Sequence, residues 1–262
     1  MTSLRWAVSD AAVVTKRNLL RYVRIPQLLV FSTVQPVMFL LLFTFVFGGA
    51  IGAQLPPGVA YIDFLLPGLV VQTTMFGATQ TGVGLADDMQ KGFVDRFRSL
   101  PMARSAVLAG RTISDVTRNT LDALLTVGVG ALIGFRIHQG AAEALLALVL
   151  LALFGFAFCW ISALIGLAVK DVETAQISGF IWIFPLVFAS SVFVPVDTMP
   201  GWLQAFARIN PVTVAANAIR GLTFGAPPGQ STWAYVGYTV AWSVGLLAVF
   251  GTLAVRKYRR IT

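Results

Sequence analysis

Few side chains in this sequence are equipped for covalent chemistry. The single histidine, His138, cannot make a metal site by itself. The single cysteine, Cys159, lies inside an apolar run and has no disulfide partner. The constellation that stands out is ionic. Arg111, Asp115, Arg118 and Asp122 recur at spacings of four, three and four. That rhythm places them on one helix face with opposite charges as neighbours. The uncharged run that follows, 123–135, has only 13 residues, too few to cross a bilayer. A crossing that ends near Phe135 must therefore draw Arg118 and Asp122 below its inner boundary. Charges at such depth are costly and should face protein or a wet cavity. Two readings fit: a salt-bridged ladder mostly below the membrane, or an inward-facing polar wall that rearranges as the protein works.

Three further segments carry polar or patterned residues. In 87–104, DDMQKGFVDRFRSLPMAR, the residues Met89, Phe93, Phe97 and Leu100 recur at spacings of four, four and three. They predict one apolar helical face, with Asp87, Asp88, Lys91, Asp95, Arg96 and Arg98 around it and Pro101 as its stop. This stripe rests on the protein's own helix ends, on lipid headgroups or on a partner surface. In 195–225, Pro200 and Pro211 sit where a first helical residue would be, Asn210 can cap the second piece, and Gly221 can end it. Two short helices are expected near 201–208 and 212–220, the first with Trp202, Leu203 and Phe206 on its apolar side. Such a segment reads as a re-entrant or interfacial hairpin whose backbone must be covered by protein. Asn210, Pro211 and Gly221 fit turn chemistry there, with ligand contact as the other reading. Gln72, Thr73, Thr74, Thr79, Gln80 and Thr81 either line a pathway or bond across helices.

The elements that must position these residues follow from composition. Of 262 residues, 11% are charged and 57% hydrophobic, with a mean hydropathy of +0.80. A soluble domain carries about 25% charge, and a disordered chain is far less apolar. The chain is expected to be an all-α polytopic membrane protein. Apolar runs predict six spans, near 28–47, 64–85, 116–135, 145–168, 175–194 and 233–255. The first 25 residues alternate Leu4, Val8, Leu19 and Tyr22 with basic residues, as an amphipathic interfacial helix does. It is either a basic anchor or an elbow that transmits motion. Small residues at four-residue spacing, Gly130 with Gly134 and Ser162 with Gly166, permit close helix packing.

Sixteen of the 19 Lys and Arg residues fall before the first span, between spans two and three or at the start of span three, between spans four and five, or after the sixth. Arg136, Arg208 and Arg220 fall on the other side. The positive-inside rule then puts both termini in the cytoplasm. The net charge of +8 is a matter of topology and gives no separate support for nucleic-acid binding. There is no G-x-x-x-x-G-K-[ST] loop, and no HExxH, CxxC or GxSxG motif.

Two stretches resemble a known family. GFVDRFRSLPMARSAVLAGRTISD (92–115) and FVPVDTMPGWLQAFARINPVTVAANAIRGLTFG (193–225) are similar to type-2 ABC transporter permeases, most of all the daunorubicin-resistance type of multidrug efflux permease. The resemblance covers nearly the whole chain as one permease domain, 1–262. It implies that 1–26 is an interfacial elbow helix, 87–104 the coupling helix and 195–225 the outer re-entrant hairpin. Met89, Phe93, Arg96, Phe97, Arg98 and Leu100 would then touch a separate ABC ATPase subunit, with Lys170, Asp171 and Glu173 as a second contact. It also implies that ATP and magnesium reside on that partner, so this chain holds no cofactor and is not itself an enzyme. The implied assembly is a dimer with a second, identical or homologous permease in the bacterial inner membrane, exporting hydrophobic small molecules or lipids. Glycan export by a related permease, a stand-alone secondary carrier or channel, and a lipid-acting membrane enzyme are the competing expectations. The lone His138 argues against the enzyme.

Overall fold

The computed structural model describes residues 26–55, 58–92, 104–169, 171–225 and 230–261. Among them every regular element is helical. Helix α1 (Pro26–Leu42) continues through a π-helical turn, Phe43–Phe47, into the short α2 (Gly48–Gly52). There follow α3 (Tyr61–Gln90), α4 (Arg104–Leu132), α5 (Ala141–Ala168) and α6 (Val172–Phe188). A 3-10 turn at Val196–Thr198 leads to α7 (Gly201–Ile209) and α8 (Pro211–Thr223). Helix α9 (Thr232–Leu246) runs through a second π turn, Leu247–Gly251, into α10 (Thr252–Ile261). Among the described residues, four helices are long and apolar enough to cross a membrane: Ser32–Gly52, Tyr61–Gln90, Ala141–Ala168 and Thr232–Arg260. With the shorter apolar Val172–Phe188, they make this a multi-pass membrane protein.

Helix α3 is the hub. Buried residues line it from Tyr61 to Ala86, and it packs against α4, α5, α6 and α8. Its contact with α5 is made backbone to backbone. A Cβ placed on Gly166 would collide with the Gly82 carbonyl, and one on Gly82 would collide with the Ser162 carbonyl. The Ser162–Gly166 spacing therefore meets its partner across the interface, as small residues in membrane helices do. The other expected pair divides. Gly130 packs on Leu66, but Gly134 lies beyond the end of α4 with φ +121° and nothing near its Cβ position. It turns the chain out of the helix, so it is no part of a packing stripe.

Two other boundaries differ from the expected ones. The apolar run 189–194 is not helical, and α6 stops at Phe188. The expected short helix at 87–104 begins instead as the last turn of α3. Asp87, Asp88 and Met89 belong to α3, and Gly92 (φ +66°) closes it in the left-handed region that glycine favours. Met89 packs against Leu85, Trp160, Leu167 and Tyr258 in a second core. Residues 93–103, and with them Phe93, Arg96, Phe97, Arg98 and Leu100, lie outside the described residues, as do 1–25 and Lys170.

Gly82→Leu should separate α3 from α5 and cost about 1–3 kcal/mol, the usual range for overpacking. Thermal unfolding in detergent micelles measures it, and an unchanged midpoint would refute the backbone contact.

Candidate functional site

A cavity of about 450 Å³ lies between α1, α3, α4 and α6. It brings together two groups of residues that the sequence left apart. Arg111, Arg118 and Asp122 of α4 line it, and so do Gln72, Thr73 and Gln80 of α3. Asp115 shares the face with the other charges but is not part of the lining.

The row of charges on α4 is held mainly from neighbouring helices. Arg111 pairs with Asp88 on α3, and its Nε lies 3.7 Å from Asp115. The Thr81 hydroxyl donates to Asp115 Oδ2 at 2.8 Å. Arg118 Nη2 donates to the Gly77 carbonyl at 2.9 Å and to Asn119 Oδ1 at 3.0 Å. Ser32 on α1 donates to Asp122 Oδ1 at 2.8 Å. Asp115, Arg118 and Asp122 are 3%, 9% and 4% exposed. Burial at this level demands partners for each charge, and α1 and α3 supply them.

Glycines on α3 make room for these side chains. A Cβ on Gly84 would overlap the Arg111 guanidinium, and one on Gly77 would overlap the Asn119 amide. The two glycines are seven residues apart, on the same side of α3. That spacing is the sequence signal for a face receiving bulky polar groups; Ser32 and Phe39 on α1 left no comparable signal.

The polar residues of α3 divide between packing and lining. Thr73, Thr74 and Thr79 bond to carbonyls of their own helix, and Thr81 bonds across to α4. Gln80 lines the cavity and is exposed. Gln72 is 3% exposed, and its Oε1 has no hydrogen-bond partner. Phe39, Phe76 and Phe180 supply the aromatic part of the wall.

The 195–225 segment forms a second polar centre at the other end of α3. Asn210 caps α8 by accepting from the Val212 N–H at 2.9 Å. Its amide nitrogen also donates to the carbonyls of Leu186 and Ala189, at 2.7 and 2.9 Å, closing the end of α6. Pro211 is the first residue of α8, whereas Pro200 is the cap residue before α7. Gly221 does not end α8, which runs to Thr223; a Cβ there would meet Thr232 at 2.5 Å, so it is a packing glycine. Trp202 on α7 is exposed.

Arg220, 4% exposed, uses all five of its N–H groups. Nε donates to the Phe64 carbonyl at 2.8 Å. Nη1 donates to Ser191 Oγ and Asn217 Oδ1, each at 2.9 Å. Nη2 donates to the carbonyls of Ser191 and Val192 at 2.7 and 3.2 Å. The guanidinium also lies 3.7 Å above the Phe64 ring.

Between α5 and α6, Asp171 caps α6, accepting from the Thr174 N–H at 2.7 Å and its hydroxyl at 2.8 Å. These bonds hold its carboxyl below the ordinary carboxylate range, the backbone N–H foremost. Glu173 is exposed in the first turn. Among the described residues no His, Cys, Asp and Glu cluster could hold a metal.

Comparison with known proteins adds an independent finding. A model of the ABC-2 type transporter family matches residues 10–224. The chain is 38% identical over 253 residues to the daunorubicin resistance ABC transporter permease protein DrrB1 of Streptomyces coeruleorubidus, covering 97% of this chain and 87% of that one. It is 26% identical over 258 residues to a probable doxorubicin resistance ABC transporter permease protein, DrrC, of Mycobacterium tuberculosis, covering 98% and 90%. A putative transport permease, ycf38, of Cyanophora paradoxa is 25% identical over 227 residues, covering 82% and 74%.

Asp122→Ala takes the acceptor from Ser32 and a negative charge from beside Arg118, so folded yield should fall several-fold. Asp87→Ala should stay near wild type, because Asp87 pairs with the exposed Lys91 at 2.7 Å. Monodisperse yield on size-exclusion chromatography decides, and equal yields would refute the difference. Arg220→Met should cost about 3 kcal/mol or more by leaving several buried acceptors without donors, read from thermal unfolding; a midpoint equal to wild type would refute it.

Proposed function

This chain belongs to the ABC-2 type transporter family, and from that premise we propose that it is the permease subunit of an ATP-driven exporter of hydrophobic or amphipathic compounds, drugs or lipids among them. The observation that carries the reading is the near-full-length similarity to a permease named for daunorubicin resistance. ATP and magnesium bind a separate ABC ATPase, and two permease subunits form the membrane part. The absence of a P-loop from this sequence agrees with that division of labour.

In this reading the chain crosses the bacterial inner membrane six times, with both termini in the cytoplasm. Helix α4 is one of the crossings, since its 29 residues reach about 43 Å at the usual helical rise. Its charges are tolerated because they face protein and the cavity. The N-terminal segment is the elbow helix. The segment after Gly92 is the coupling element, with Phe93, Arg96, Phe97, Arg98 and Leu100 seated on the ATPase. Lys170, Asp171 and Glu173 add a second contact. Helices α7 and α8 form the outer re-entrant hairpin, with Trp202 towards the membrane surface and Arg220 sealing the inside.

The cavity is the inner mouth of the pathway. It runs from Asp87 and Val172, near both proposed ATPase contacts, to Leu69 and Phe39 deeper in the bundle. ATP-driven closure of the ATPase pair would press on the end of α3, where Asp88 holds Arg111, and so reshape the polar wall.

The purified complex with its ATPase should hydrolyse ATP faster when a transported amphiphile is added. Phe93→Asp should leave basal hydrolysis by the ATPase but abolish its stimulation and transport. A Phe93→Asp complex that assembles and transports normally would overturn the coupling assignment.

A further inference from the structure

Helix α10 carries four cations that have no counter-charge among the described residues. Arg256, Lys257, Arg259 and Arg260 are all exposed, and none of them joins the ion pairs found there. They close the apolar helix Thr232–Arg260, so they stand where a crossing helix leaves the hydrocarbon.

Their arrangement around the helix is uneven. Leu253, Arg256, Lys257 and Arg260 follow at spacings of three, one and three, the rhythm of a single helical face. Ala254 and Tyr258 lie on the opposite face and are buried, Tyr258 at 3% exposure. There they pack with Trp160 and Leu167 of α5 and with Leu85 and Met89 of α3. Arg259, although next to Arg260 in the chain, is turned about 100° from it.

Three cations on one face repel one another. Arg256 and Arg260 are four residues apart, and Lys257 and Arg260 are three apart, both of them distances at which helical side chains meet. An anion seated between them turns that repulsion into attraction. The face is also amphipathic along its length. Leu253 is 43% exposed, and Val249, in the π turn before it, is 52% exposed. An acidic protein surface or a free phosphate has no use for these two side chains, whereas an acyl chain does.

We propose that Leu253, Arg256, Lys257 and Arg260 form a binding face for one anionic phospholipid, its phosphate held between the three cations and an acyl chain lying along Leu253 and Val249. The guanidinium groups give the phosphate paired hydrogen bonds, and Lys257 adds a point charge. Because the reverse face of α10 packs on Leu85 and Met89, the bound lipid lies behind the junction of α10 with the end of α3. The site depends on this helix crossing the membrane and not on what the chain transports.

The full chain, purified in a neutral detergent, is titrated with dioleoylphosphatidylglycerol or dioleoylphosphatidylcholine, and bound lipid is read by native mass spectrometry. Phosphatidylglycerol should bind at least about tenfold more tightly. Arg260→Gln should remove most of that preference. Arg259→Gln, which loses the same charge away from the face, should keep it. Arg260→Lys should keep it as well, which separates loss of charge from loss of fold. Glycerophosphoglycerol, the head group without chains, should compete at least about tenfold less well than the whole lipid. Equal binding of the two lipids would overturn the proposal, and so would equal losses from Arg260→Gln and Arg259→Gln, the mark of diffuse charge. A head group that competes as well as the lipid would make this a free-phosphate site and refute it. An Arg260→Gln chain that keeps its lipid preference but no longer co-purifies with the ATPase would refute it in favour of a protein contact.

Discussion

The structure turns on one buried cation. Where α6 stops, residues 189–194 leave the helical ladder deep inside the bundle, and their carbonyls need donors that lipid cannot supply. Arg220 supplies them. Its guanidinium reaches Ser191 and Val192 on one side and the Phe64 carbonyl of α3 on the other. All five acceptors are neutral, so no ion pair offsets the burial of its charge. The multiplicity of bonds and the Phe64 ring do so instead. The arrangement also requires Gly68. A Cβ there would stand 2.7 Å from the Val192 carbonyl and 3.0 Å from the guanidinium. Asn210 completes it by closing the last carbonyls of α6 and opening α8 with the same side chain.

What the sequence made legible was local. Apolar runs located the four described helices long and apolar enough to cross a membrane, the Asn210–Pro211 pair marked the start of α8, and Ser162 with Gly166 marked a tight packing face. The misses share a different cause. Residues 189–194, ASSVFV, are apolar enough to extend a helix, yet their carbonyls are taken by side chains about 20 to 30 positions away. No periodicity reports that. The α4 charges were correctly assigned to one face, but the partners that make their burial tolerable come from α1 and α3.

The two ends of the bundle use polar groups in opposite ways. Around Arg220 every donor is matched, so this end resists change. Around Asp122 the groups are matched only in part, leaving an open volume and an orphaned amide oxygen. A fully satisfied network fixes one geometry, whereas a partly satisfied one leaves room for a guest or for rearrangement. The sealed end and the receptive end lie along the same helix, α3.

The Gly82–Gly166 contact has a mechanical meaning. Two helices whose backbones touch cannot slide, because each lies in a notch of the other, and no flexible side chain between them absorbs a shift. They can only tilt about that point. Helices α3 and α5 therefore behave as a fulcrum. A push on the Gln90 end of α3 would pivot the helix about Gly82, and the far arm of the lever carries the Phe64 carbonyl to which Arg220 is tied. The lever arms on either side are set by where the glycines fall, about 12 Å from Gly82 to Gln90 and 27 Å from Gly82 to Phe64 at the usual helical rise. With unequal arms, a small displacement at the short end becomes roughly twice as large at the other.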